Sequence, residues 1–311
     1  MKQMTDLSEF KKVAHNAVKK AEERILYYFH NQPKVETKID RTPVTSADKE
    51  AEEMIISTIR KSFPNHGFMG EEFGTTNEDA EFVWIIDPID GTKNFIHGLG
   101  FFGTILGLKH QGKIILGVSN MPAINELLYA SETEGTTLNN KVVRVSKIAN
   151  LENAFVNFNP SGFRDGRILN IAKTLDGKVL NMRGFGDVYG YHLVATGRAD
   201  VMFESFPKAW DVAAFQIIIK QAGGKYSDFE GNEYALGGTC LATNGLLHQE
   251  LLSHQHRSTV PSDRKSRGVP SPFLPEVRRS IRAGMLCAGS SEASRLRLPW
   301  TCRPVCGDLR S

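Results

Sequence analysis

Long apolar runs are what this 311-residue chain most plainly lacks. No stretch approaches the roughly 18 residues needed to cross a bilayer, and the start, Met1-Lys2-Gln3-Met4-Thr5-Asp6, has no apolar signal region. The expectation is a cytoplasmic protein with no membrane partner. Cysteine is equally sparse. Of the four, only Cys240 precedes residue 257, which argues against a disulfide framework and against a thiolate metal centre. Cys287, Cys302 and Cys306 are irregularly spaced without a histidine partner and do not read as zinc ligands.

Positive charge is scarcer than the total suggests. The net charge is +3, but residues 257–311 hold ten Arg and one Lys against four acids, a surplus of +7 that leaves −4 on the rest. An acidic body gives no support to nucleic-acid binding. Residues 1–256 use 19 Lys and 8 Arg, a ratio the tail reverses while turning rich in Ser, Pro and Gly and losing all periodicity. Residues 257–311 are therefore expected to be disordered. They read as non-native, read-through or frameshifted sequence, with a native basic tail as the alternative.

What is present begins with Trp84-Ile85-Ile86-Asp87-Pro88-Ile89-Asp90-Gly91-Thr92. The apolar residues Val83 to Ile86 predict a strand buried on both faces, so the carboxylates fall where that strand leaves the core. Two such charges are unfavourable there without cations. Pro88 stiffens the turn, and Gly91 lets the backbone approach a ligand; amides near Gly91 and Thr92 could donate to an oxyanion if a helix starts there. Hard oxygen ligands beside an anion cradle suit magnesium-dependent phosphate chemistry.

Elsewhere the pattern is mixed α and β. Leu7 to Phe29 has one apolar stripe at helical spacing, and Thr45-Ser46-Ala47-Asp48 opens a second helix with the acid form of the capping signal. Strands are predicted at 104–108, 113–118 and 126–129, with a hairpin about Asn139-Asn140. Beyond it, helices at 164–175, 188–196 and 210–222 alternate with strands at 199–203 and 241–243, before a short helix at 246–252. Gly223-Gly224 stops the third of these helices.

Two further motifs accompany the first: Gly70-Glu71-Glu72 upstream and Trp210-Asp211-Val212-Ala213-Ala214 downstream. Alone, the first reads as a solvated acidic pair and the second as a helix cap. In this order the three resemble the inositol monophosphatase superfamily over residues 5–253. The resemblance implies an α+β fold, a layered αβαβα sandwich with its active site at the seam between two sheets. Residues 1–256 would form the phosphatase domain, in sub-regions of about 1–145 and 146–256.

The resemblance also implies two or three Mg²⁺ per site. Glu71, Asp87 and the Ile89 carbonyl would hold one ion, and Asp87, Asp90 and Asp211 a second. The catalytic set is then Asp48, Thr92 and Glu71, with Asp48 and Thr92 orienting and deprotonating the attacking water; from local sequence alone Asp48 is simply a cap. Gly91 and Thr92 would bind phosphate. Lithium is the implied inhibitor, a small phosphorylated metabolite the partner, and a homodimer the assembly.

Substrate choice should lie with Gly186, Asp187, Glu204 and Asp211. Inositol-specific members carry small residues after the glycine matching Gly186, whereas here Asp187 follows. Asp187 and Glu204 would suit a cationic alcohol such as histidinol, although Asp187 reads equally well as a helix cap. Gly91-Thr92-Lys93, Phe102 to Leu108 and Thr136 to Asn139 resemble the histidinol-phosphate phosphatase subgroup. The expected reaction is hydrolysis of histidinol phosphate by a metal-activated water. The alternatives are an inositol-1-phosphatase or broad polyol phosphatase, and a regulatory protein that binds RNA or polymerase.

Overall fold

A computed structural model describes residues 7–31, 35–37, 43–233 and 236–258. The chain opens with α1 (Ser8–Asn31), β1 (Val35–Thr37), β2 (Pro43–Thr45), α2 (Ser46–Ser62), β3 (Gly67–Gly70) and β4 (Gly74–Thr76). It continues through β5 (Phe82–Asp90), α3 (Thr92–Ile96), β6 (Gly103–His110), β7 (Lys113–Met121), β8 (Glu126–Ser131), β9 (Glu134–Leu138) and β10 (Lys141–Val142). The second half comprises β11 (Phe155–Phe158), α4 (Arg167–Leu175), β12 (Asn181–Arg183), α5 (Asp187–Ala195) and β13 (Val201–Ser205). Last come α6 (Ala209–Gln221), β14 (Lys225–Ser227), β15 (Thr239–Thr243) and α7 (His248–Ser258).

β1 and β2 pair as a separate antiparallel ribbon, and two larger sheets organise the other elements. One has eight strands in the order β10-β9-β8-β7-β6-β5-β3-β4, antiparallel except where β3 runs parallel to β5. The other has five, β12-β11-β13-β15-β14, with β11 parallel to both its neighbours. A sheet buries both faces only if something covers each. The apolar stripes of α1 and α2 pack on one face of the large sheet against Trp84, Ile86, Leu106 and Val118. α5 and α6 fill the space between the sheets, meeting Ile85 and Ile105 on one side and Met202 and Ala242 on the other. α4 and α7 cover the outer face of the small sheet through Ile168, Leu175 and Leu251. The result is the layered αβαβα sandwich.

Side-chain alternation in β5 sets up the site. Trp84 and Ile86 point to α1 and α2, and Ile85 points to α6; the same period of two turns Asp87 toward α6. That helix is buried from Val212 to Ile219 and lies close on β6 and β7. Paired Gly107 and Gly117 make the approach possible. A Cβ at Gly117 would sit 2.6 Å from the Ala214 carbonyl oxygen and 2.8 Å from Ile217 Cγ2.

Some boundaries differ from expectation. The predicted helix at 164–175 begins as a 3₁₀ segment, Pro160–Asp165, and turns α-helical only at Arg167. β13 starts two residues later than expected, and the last helix, expected at 246–252, runs as α7 from His248 to Ser258. The expectation of disorder for the remaining tail falls on residues 259–311, outside the described residues.

Candidate active site

Three of the expected ligands converge at the seam. Asp87 and Asp90 close β5, and Asp211 lies in the first turn of α6; one oxygen from each lies within 4.8 Å of the others. Local geometry fixes each acid. Asp87 Oδ1 accepts from the Ile89 amide at 3.0 Å, and Thr104 Oγ1 ties the Pro88 carbonyl at 2.8 Å. Asp90 accepts from the Val188 amide at the start of α5. Asp211 caps α6 by accepting from the Lys208 amide at 2.7 Å.

Burial raises the Asp87 carboxyl far above the ordinary range, and the charges of Glu71, Asp90, Asp211 and Asp48 push it higher. Asp90 is raised by burial and then by Asp187 and Asp211. Burial likewise lifts Asp211 to about 7, Glu71 adding to the effect. Acids that repel one another at a partly buried seam hold a cation far better than they hold one another's charge. The all-oxygen donor set fits a hard divalent ion such as Mg²⁺ and offers no soft ligand.

Asp48 and Thr92 complete one side of this cluster. Asp48 lies in the first turn of α2, where Oδ2 accepts from the Thr45 amide at 2.8 Å and from Thr45 Oγ1 at 2.6 Å. Its other oxygen, Oδ1, faces Thr92 Oγ1 at 3.4 Å. Asp48 is therefore both a helix cap and a site-facing acid, the two readings open in the sequence. Burial lifts it to about 6 against the pull of the Thr45 bonds. Thr92 Oγ1 also reaches the Ile89 carbonyl at 3.0 Å. Gly91 adopts a left-handed backbone, φ 83°, and a Cβ there would lie 2.9 Å from the Phe101 carbonyl oxygen. Glu71 continues the ladder of β3 by donating its amide to the Ile86 carbonyl at 3.2 Å, which brings it beside Asp87.

Asp187 and Glu204 bring two further acids near Asp90, and both push its carboxyl up. Asp187 opens α5 with φ 55° and makes no cap hydrogen bond; Asn94 Nδ2 reaches its Oδ2 at 3.2 Å and Asn159 Nδ2 its Oδ1 at 3.1 Å. Glu204, on β13, is only 4% exposed and accepts from Tyr191 Oη and from Asn159 Nδ2 at 3.0 Å. Burial raises it to about 8, although the Tyr191 bond opposes the shift. Gly186 is required beside them, since a Cβ there would meet Asn159 Cγ at 2.7 Å.

Sequence reasoning missed Asn159, Asn94, Tyr191 and Glu52. Asn159 follows β11 and bridges both acids, its own Oδ1 oriented by the Ser161 amide at 3.1 Å and Ser161 Oγ at 2.7 Å. Only tertiary pairing of β11 with β13 brings it there. Asn94, three residues after Gly91, had a local signal in its place on the metal loop.

A layered scaffold that gathers three oxygen donors at the seam of two sheets is suited to holding a divalent cation. Comparison with known proteins gives the particular lineage. The inositol monophosphatase family matches residues 6–260. The histidinol-phosphatase of Mycobacterium tuberculosis is 35% identical over 226 residues, 71% of this chain and 87% of that protein. The fructose-1,6-bisphosphatase/inositol-1-monophosphatase of Thermotoga maritima is 38% identical over 212 residues, 67% of this chain and 80% of that protein. Among solved structures, the extragenic suppressor protein suhB of Bartonella henselae superposes with a TM-score of 0.75 at 30% identity, covering 80% of this chain and 98% of its own. The chain belongs to the inositol monophosphatase family and is a phosphomonoesterase. That family is magnesium-dependent, acts on small phosphorylated substrates and is inhibited by lithium. Among the described residues, no helix is long and apolar enough to cross a membrane.

Proposed function

We propose that the chain hydrolyses histidinol phosphate by direct attack of water. Glu71, Asp87 and the Ile89 carbonyl would hold one magnesium ion, and Asp87, Asp90 and Asp211 a second. Bound there, the ions make water a stronger acid and stabilise a departing alkoxide. Asp48 takes the proton of the attacking water beside the Thr92 hydroxyl, which its Oδ1 faces at 3.4 Å. Gly91 and Thr92 present amides to the phosphate oxygens. The P–O bond to the alcohol breaks, and the alcohol leaves with a proton from solvent.

The observation that carries the substrate is the pair Asp187 and Glu204. The charges of both act on Asp90, whereas that of Asp48 acts on Asp87, so the leaving alcohol would lie on the Asp90 side if water attacks beside Asp48. Neutral amides and a phenol donate hydrogen bonds to the two acids, and two such carboxyls suit an alcohol that carries an amine and an imidazole. The similarity to the Mycobacterium protein supports the same choice. Inositol 1-phosphate is the second reading, favoured by the Thermotoga relative at comparable identity. Phosphate release from histidinol phosphate, inositol 1-phosphate, fructose 1,6-bisphosphate and nucleotide 3′-phosphates, compared as kcat/KM at one salt concentration, decides between them. A preference for inositol 1-phosphate would overturn the histidinol assignment.

A further inference from the structure

Glu52 is a buried acid that the hydrolytic chemistry does not use. It lies on α2 one turn beyond Asp48, on the same face of the helix, and is 0% exposed. Its two oxygens are spent on consecutive amides: Oε2 accepts from Glu72 N at 2.9 Å and Oε1 from Phe73 N at 3.0 Å. These amides belong to the turn between β3 and β4 that begins with Glu71. On its other side the turn is tied to β5 through the amide of Glu71 itself. Gly70 has no room for a Cβ because the Glu52 carboxylate occupies that space. Phe73 itself is 52% exposed and adds little burial to the turn.

A carboxylate is a costly choice for this task. Burial opposes its charge most, the Glu72 and Phe73 amide bonds favour it, and the neighbouring acids Glu72 and Glu71 oppose it. An apolar turn anchor, or a single neutral acceptor, would avoid that cost. What only a carboxylate supplies is two acceptor oxygens in one plane together with a negative charge directed at the Glu71 turn.

We propose that Glu52 is a positioning residue for the metal site: it clamps the Glu72 and Phe73 amides so that Glu71 is presented to a divalent cation, and its charge strengthens the hold on that cation. The inference rests on the assignment of Glu71 as a ligand. Groups that orient a metal ligand in this way typically change metal affinity about 10- to 100-fold when removed.

The test is Mg²⁺ binding to the full-length protein by calorimetry without substrate, paired with the Mg²⁺ dependence of phosphate release. Glu52→Gln keeps the shape and one acceptor and should weaken Mg²⁺ binding about tenfold; Glu52→Ala should weaken it further, toward a hundredfold. At saturating Mg²⁺ kcat should return to within about threefold of wild type. Glu53→Gln, an exposed neighbour that loses the same charge, should leave affinity unchanged. Wild-type affinity in Glu52→Gln, or a fall in kcat with unaltered Mg²⁺ half-saturation, would overturn the proposal. If Glu52→Ala does not fold, the Gln variant decides alone. A wild-type protein that binds no Mg²⁺ would refute the ligand assignment and this inference together, whereas wild-type binding with unaffected variants refutes the inference only.

Discussion

Gly117→Ala places one methyl group at the contact on which the seating of α6 depends. The added Cβ would lie 2.6 Å from the Ala214 carbonyl oxygen, where ordinary contact begins near 3.4 Å. Helix and sheet must therefore separate by about 0.8 Å, and backbone atoms cannot swing aside as a side-chain tip would. Overpacking of this kind costs about 1–3 kcal/mol. In a domain of this size each kcal/mol lowers the melting temperature by about 2–4 °C, so a fall of roughly 2–12 °C is expected. Function should suffer separately, because Ala214 is one turn from Asp211 on the same helix. A shift of a few tenths of an ångström in one ligand loosens a cluster whose acids come from two elements. The assay is calorimetric melting together with the Mg²⁺ half-saturation of phosphate release. We expect both to change, with half-saturation raised several-fold in the fully folded protein. Unchanged melting and unchanged Mg²⁺ dependence would show that α6 does not lie where the two glycines place it.

Three other outcomes follow from named contacts. Glu126 feels burial that would raise it, but hydrogen bonds from His192 and Arg198 and the charge of Arg198 outweigh this and hold it at about 2. Burial lowers the His192 pKa while its bond to Glu126 opposes that shift, and Arg198, at 2.6 Å, supplies the permanent charge. A lowered carboxyl stabilises the fold above the unfolded value near 4.5 and loses that effect as pH falls toward 2. The stability gap between wild type and Glu126→Gln, about 1–2 kcal/mol after allowance for the exposed Arg198, should shrink by about half between pH 5 and pH 3 in urea titrations; a pH-independent gap would refute it. Asp48→Asn and Thr92→Val should each lower kcat about 10²- to 10⁴-fold while Mg²⁺ binding by calorimetry moves little, and the double variant should be no worse than the weaker single; additive losses would separate their roles. Asn159→Leu should reduce kcat/KM on histidinol phosphate about tenfold or more while sparing inositol 1-phosphate, since both acids lose a donor; equal losses would make Asn159 merely structural.

Much of this architecture was legible in the sequence wherever one residue pattern had one physical meaning. The stripe of α1, the capping signal before α2 and the stop after α6 all needed only local periodicity. Short strands were another matter: β3, β4, β11, β12 and β14 have three or four residues each, too few for alternation to register. Capping a helix and facing the seam proved compatible rather than rival. Asp48 and Asp211 each spend one oxygen on a helix start and turn the other toward the seam, so a choice between cap and site was unnecessary. Asp187 went the other way, held by two asparagines with no cap bond. Glu52, Asn159 and Gly117 left no local trace because tertiary packing alone creates their roles.

The central claim is that the acids at the seam hold the ions on which hydrolysis depends, and Asp211→Asn tests it most directly. Asparagine can still cap Lys208 and relieves repulsion from Glu71, so the fold should survive with an unchanged or higher melting temperature when magnesium is chelated. Phosphate release from histidinol phosphate, with inositol 1-phosphate in parallel, is to be measured against Mg²⁺ concentration for wild type and variant. The account predicts hydrolysis of at least one ester by wild type that disappears on chelation, and loss of essentially all turnover on both in the variant even at saturating Mg²⁺. Near-normal turnover by the folded variant, or wild-type hydrolysis that persists without a divalent ion, would contradict it.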